Sequence, residues 1–157
     1  MDDKNKNNRF DLNSFIFNLI IAEGGGLLSS FLSGDIAGKY NNFIKPKFSA
    51  PGFIFPVAWI ILYFLMALAN TLVNNNKKAN DLYFVQLMIN FLWPIFFFGL
   101  DFKLFSFVWL LLLLIMVLFT TREFFKDNFI SGAFMLIYIL WLIYAGYLNF
   151  FVWLLNK

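Results

Sequence analysis

The sequence predicts an all-α membrane protein, a five-transmembrane-helix bundle with a long loop between helices 1 and 2. Three observations predict it. Apolar residues make up 61% of the 157 positions and charged residues only 13%, against about 45–50% and about 25% in soluble domains. Five long hydrophobic stretches follow one another along the chain. The polar connections between them are short, with one exception. Too few charges remain to coat a water-exposed surface, so lipid must take part of the solvent's place.

Residues 1–12, MDDKNKNNRFDL, form a polar, Asn-rich tail that has little to bury. A single transmembrane domain is expected over 13–157, with helices at about 15–36, 53–73, 82–100, 104–120 and 130–155. A spanning helix needs about 17–25 mostly apolar residues. The fourth stretch is short, and the fifth is long enough to tilt. The first has the basic flank of a cleaved signal peptide. Glu23 and the Gly24-Gly25-Gly26 run interrupt it, however, and no clean small-x-small site follows, so it is expected to stay.

The exception among the connections is residues 37–52, AGKYNNFIKPKFSAPG, read as a long and therefore functional loop. Lys45 precedes Pro46 and should be extended. Pro51 suits the first turn of helix 2, where no N–H is needed. Gly34 and Gly38 form a weak GxxxG packing motif at the end of helix 1. Five spans put Lys4, Lys6, Arg9, Lys77, Lys78, Arg122 and Lys126 on one side, and Lys39, Lys45, Lys47, Lys103 and Lys157 on the other. Seven against five weakly favours a cytoplasmic N-terminus, with the loop outside.

Polar groups are costly in a bilayer, so each marks a place to look. Gln86, Asn90 and Pro94 share one face of helix 3. Pro94 cannot bond the Asn90 carbonyl and should kink the helix beside Trp93 and Phe97. Trp59, Tyr63, Met66 and Asn70 share a face of helix 2, and Tyr138, Trp141, Ala145 and Asn149 a face of helix 5. Such stripes serve packing or interfacial anchoring more often than a site, which suffices for Trp109 and Trp153. The stripes that mix Trp and Tyr with amides instead suit a pocket for a large planar ligand. Glu23 is the one carboxylate well inside a stretch, a candidate proton or cation site.

Several function classes are excluded. Cys and His are both absent, which removes disulfides, thiolate nucleophiles, imidazole acid–base chemistry and the usual soft or imidazole metal ligands. No metal site is expected. The net charge of +3 is scattered, and no basic stripe exists to hold nucleic acid. No phosphate loop and no Ser–base pair is present.

Three stretches carry a family resemblance. Tyr40-Asn-Asn-Phe-Ile-Lys-Pro-Lys-Phe-Ser-Ala-Pro51-Gly52 runs into Trp59-Ile-Ile-Leu-Tyr63. Asn90-Phe-Leu-Trp93 precedes Phe97-Phe98. Tyr138-Ile-Leu-Trp141 precedes Tyr147-Leu148-Asn149. In this order they resemble the translocator protein family, also called tryptophan-rich sensory proteins. Lys39, Ala50 and Ile137 depart from it, standing where the family often has Trp, Pro and Pro. The resemblance implies a bacterial member, a homodimer in the cell membrane, with porphyrin as ligand and no required cofactor. Its motifs place Tyr40, Trp59, Tyr63, Asn90, Phe97, Trp141 and Ala145 around the pocket. In some bacterial members light-dependent porphyrin breakdown is reported, and Trp59 and Trp141 would then be the catalytic electron donors here. Porphyrin carboxylates could meet Lys39, Lys45 or Lys47. No cation follows Tyr147 before Lys157, so a cholesterol-recognition motif is absent. A transporter of small hydrophobic or anionic solutes and a non-catalytic sensor remain the alternatives.

Overall fold

The computed structural model describes residues 10–73 and 76–157. Residues 1–9 of the polar tail, with three of the cations used for orientation, lie outside it. Its elements are α1 (Leu12–Ser33), α2 (Ile36–Asn42), α3 (Ile54–Leu72), α4 (Lys77–Pro94) running into a π turn (Ile95–Gly99), α5 (Lys103–Asp127) and α6 (Phe129–Leu155). Among the described residues, five helices are long and apolar enough to cross a membrane: α1, α3, α4 with its π turn, α5 and α6.

The distribution of side chains is that of a membrane bundle. Large apolar residues face outward, Phe31 at 82% exposure and Leu140 at 67%. Amides and hydroxyls are inside: Asn18, Asn70, Gln86, Asn90 and Asn149 are all buried. Lipid solvates the first set, and the second must find partners within the protein.

The expected long loop between helices 1 and 2 is corrected. Helix α2 begins at Ile36, three residues after α1 ends at Ser33. Gly34 takes a left-handed φ of 76° that ends α1, and the Asp35 carboxylate accepts from the Gly38 N–H at 2.9 Å to start α2. The glycines of the GxxxG motif therefore serve a break and a short helix, not a helix–helix seam. Between α2 and α3 the backbone is irregular over residues 43–53, and it is tied down. Tyr40 Oη donates to the Ala50 carbonyl (2.6 Å), and Ala50 N–H donates to Tyr144 Oη (2.8 Å). Asn156 pairs with both the N–H and the carbonyl of Ile44, each at 2.9 Å.

Helix ends differ from the hydropathy reading where charges are satisfied locally. The fourth span continues past Thr120 to Asp127 because Glu123 is bridged by Lys126 (2.7 Å) and by Lys78 of α4 (3.1 Å). α4 starts early, at Lys77, where the Asn76 side chain accepts from Ala79 N–H at 3.1 Å. Pro94 ends the α-helical part of α4, and the next turn widens, with Leu100 N–H donating to the Ile95 carbonyl at 2.8 Å. Adjacent Phe97 and Phe98 are both buried as a result.

Candidate functional site

The three aromatic stripes converge. A cavity of about 480 Å³ lies between α1, α2, α3, the π turn and α6, within the range of roughly 300–1,000 Å³ that small-molecule sites occupy. α3 supplies Trp59 and Tyr63, stacked with ring centroids 5.4 Å apart. α6 supplies Trp141, whose ring stands edge-on to Trp59 at 6.4 Å, and Ala145. α4 and the π turn supply Trp93 and Phe97, stacked at 5.5 Å and 12°. Tyr40 of α2 closes one side against Phe55, with centroids 4.9 Å apart. Burial pushes the Tyr40 phenol above its ordinary range, so it stays protonated and donates to Ala50.

Of the seven residues expected around a pocket, Tyr40, Trp59, Tyr63, Phe97, Trp141 and Ala145 line this cavity. Asn90 does not. It stands behind the wall, fully buried, and its Nδ2 donates to Tyr138 Oη at 2.7 Å. Spacing gives the face on which Asn90 lies, but not that Tyr138 would meet it there. Trp109 and Trp153 do not line the cavity. Trp109 donates its indole N–H to the Ile89 carbonyl at 2.8 Å, and Trp153 carries Lys157 over its ring at 4.5 Å.

Beyond those seven, the lining includes Trp93, read from the sequence only as standing beside the Pro94 kink, and Asn149, read as part of the α6 stripe. Trp93 Nε1 donates to Asn149 Oδ1 at 3.0 Å, and Asn149 Nδ2 donates to the Lys103 carbonyl at 2.8 Å. One amide thus locks α4, α5 and α6 at the cavity wall. Glu23 and Gly26 of α1 also line it. Gly26 lies so close to the Tyr63 ring that a Cβ there would collide with it.

The loop lysines turn elsewhere. Lys39 donates to the Phe98 carbonyl, Lys45 to the carbonyls of Tyr40 and Asn41 (3.0 Å each), and Lys47 stands over the Phe48 ring at 5.9 Å. None of them lines the cavity. The lining includes Leu27 at 72% exposure and Ile60 at 58%. Both stand on spanning helices, α1 and α3, so part of the cavity's rim faces the hydrocarbon, while the exposed Gly34, Asp35 and Ala37 border it at the α1–α2 turn. Chemically the site offers flat rings and few polar groups.

Residues 17–154 match the sequence pattern of the TspO/MBR family. The chain is 36% identical over 124 residues to Protein CrtK of Rhodobacter capsulatus, covering 74% of this chain and 78% of that one. It is 35% identical over 133 residues to the Tryptophan-rich protein TspO of Archaeoglobus fulgidus, covering 82% and 86%. Similarity extends to the Translocator protein of Ovis aries, 29% identical over 149 residues, covering 90% and 88%.

Proposed function

The chain belongs to the TspO/MBR family, and from that premise we propose that its cavity binds a large planar aromatic ligand, a tetrapyrrole being the best-fitting class. The observation that carries this reading is the set of three indoles, Trp59, Trp93 and Trp141, around one membrane-embedded cavity. Flat rings at contact distance recognise a flat guest by stacking and edge contacts. The absence of Cys and His from the chain leaves no thiolate or imidazole to ligate a central metal, so shape and stacking would hold the ring.

Light-dependent breakdown of the guest would run through Trp59 and Trp141, the indoles placed against it from α3 and α6. A role in porphyrin handling or stress response follows from either activity. The carrier reading draws less support. The far end of the bundle is tied by hydrogen bonds among Asn18, Asn70 and Asn80.

The test is a titration of purified protein with protoporphyrin, read by quenching of Trp fluorescence in the dark and by product spectra in light. Saturable quenching is expected. Trp59→Phe with Trp141→Phe should keep much of the binding and abolish light-driven products. No saturable quenching sinks the ligand reading, and undiminished photoproducts in the double variant sink the role of these two indoles.

A further inference from the structure

None of the residues lining the cavity belongs to α5, yet α5 reaches the site through one main-chain atom. The carbonyl of Lys103, its first residue, accepts from Asn149 Nδ2 at 2.8 Å, and Asn149 Oδ1 accepts from Trp93 Nε1 at 3.0 Å. Asn149 is 1% exposed and Trp93 8%. Water therefore competes for neither bond, and a hydrogen bond is stronger in so dry a place. Phe97 lies against Trp93 at 5.5 Å and 12°, and Trp59 stands 6.5 Å away. Trp141 is held otherwise, since its Nε1 is buried without a hydrogen-bond partner among the described residues. Trp93 is pinned at its polar atom and Trp141 is not.

We propose that Asn149 is a positioning residue of the cavity: it fixes the Trp93 ring where a guest will meet it, and it ties that setting to the start of α5. This rests on the reading of the cavity as a planar-ligand site, and it adds a residue that acts through Trp93. The second side-chain torsion of an indole has only a broad preference, so its polar atom is the natural place to hold it. Stacking on Phe97 sets the plane of the Trp93 ring, and the bond from Nε1 fixes where in that plane the ring stops. An amide suits the task because it carries an acceptor and donors on one short stem. Asn149 spends the acceptor on α4 and a donor on α5. A carboxylate there would meet the Lys103 carbonyl oxygen with another oxygen. A ring already ordered leaves less side-chain freedom to lose when the guest arrives, which favours binding.

The test compares wild type, Trp93→Phe, Asn149→Leu and the double variant, purified in non-ionic detergent. The first readout is the indole N–H resonance of Trp93, assigned by its loss in Trp93→Phe. It should be protected from solvent exchange in the wild type, and it should shift upfield and lose protection in Asn149→Leu. The second is affinity for protoporphyrin in the dark, read by quenching of Trp59 and Trp141, which all four proteins keep. Each single variant should bind about three- to tenfold more weakly. The double variant should be no more than about twofold weaker than the weaker single one, because Asn149 has nothing left to position once the indole is gone. An amide that serves only the fold would give losses that multiply. Where Asn149→Leu does not fold, Asn149→Ser, too short to reach Trp93, takes its place in the same comparison. Losses that multiply, an unmoved Trp93 resonance, or a single variant that binds like the wild type overturns the positioning role while leaving the planar-ligand site standing. If protoporphyrin does not quench the wild type saturably, the site itself fails and the role with it.

Discussion

At one end of the bundle α1, α3 and α4 meet through small polar side chains, and at the other the same helices stand apart around large rings. At the tied end Asn70 Nδ2 donates to Asn18 Oδ1 (3.2 Å) and to Asn80 Oδ1 (2.7 Å), and Asn18 Nδ2 donates to Thr71 Oγ1 (3.0 Å). Asn70 is fully buried. At the open end Trp59, Tyr63 and Trp93 prop the wall, and Gly26 lets α1 approach only as far as the Tyr63 ring. Short amides draw backbones together, whereas indoles and phenols hold them apart. The difference teaches that stability and ligand affinity should separate along the bundle axis.

Substitutions at the two ends test that separation, and the largest effect belongs to the tied end. Asn70→Leu removes the donor to the buried Asn18 Oδ1 and to the half-buried Asn80 Oδ1, so it should cost about 2–3 kcal/mol of stability, seen as a lower unfolding midpoint in detergent. Ligand affinity measured well below that midpoint should be kept, and a parallel loss of both would dissolve the contrast. Gly26→Val drives the Tyr63 ring into the cavity. Affinity should fall at least about tenfold, or about 1.4 kcal/mol, with little change in the unfolding midpoint. Tyr40→Phe removes the bond to Ala50 and should cost about 0.5–1.5 kcal/mol. Stopped-flow should show faster ligand release, since residues 43–53 lose one of their ties. Leu140→Ile, on the lipid-facing side of α6, should shift the midpoint by no more than about 0.5 kcal/mol and leave binding alone.

The spans were legible because hydropathy answers one question, whether a stretch can replace water with lipid. The convergence of Trp59 and Trp141 was legible because helical spacing puts each on a stripe with amides, whereas Phe97 was legible only through the family resemblance. The rest depended on neighbours that no spacing names. α2 escaped notice because its short stretch, IAGKYNN, carries no periodic apolar face, and its start rests on the Asp35 cap. The extension of α5 to Asp127 escaped because charges end a hydropathy run, although Lys78 and Lys126 satisfy Glu123 there. The lysines of residues 37–52 suggested a welcome for anions. Only the coordinates show Lys39 and Lys45 spent on main-chain carbonyls.

The outward exposure of the lining residues Leu27 and Ile60 bears on discrimination between guests. A molecule reaching the cavity past them from the bilayer has already left water when it dissolved among the acyl chains, and lipid tails are as apolar as Leu. Greasiness therefore cannot distinguish one visitor from another on that route. What remains is how closely the outline fits the indole walls and whether the polar edge finds a counterpart, so chemically similar molecules of equal oiliness should be told apart.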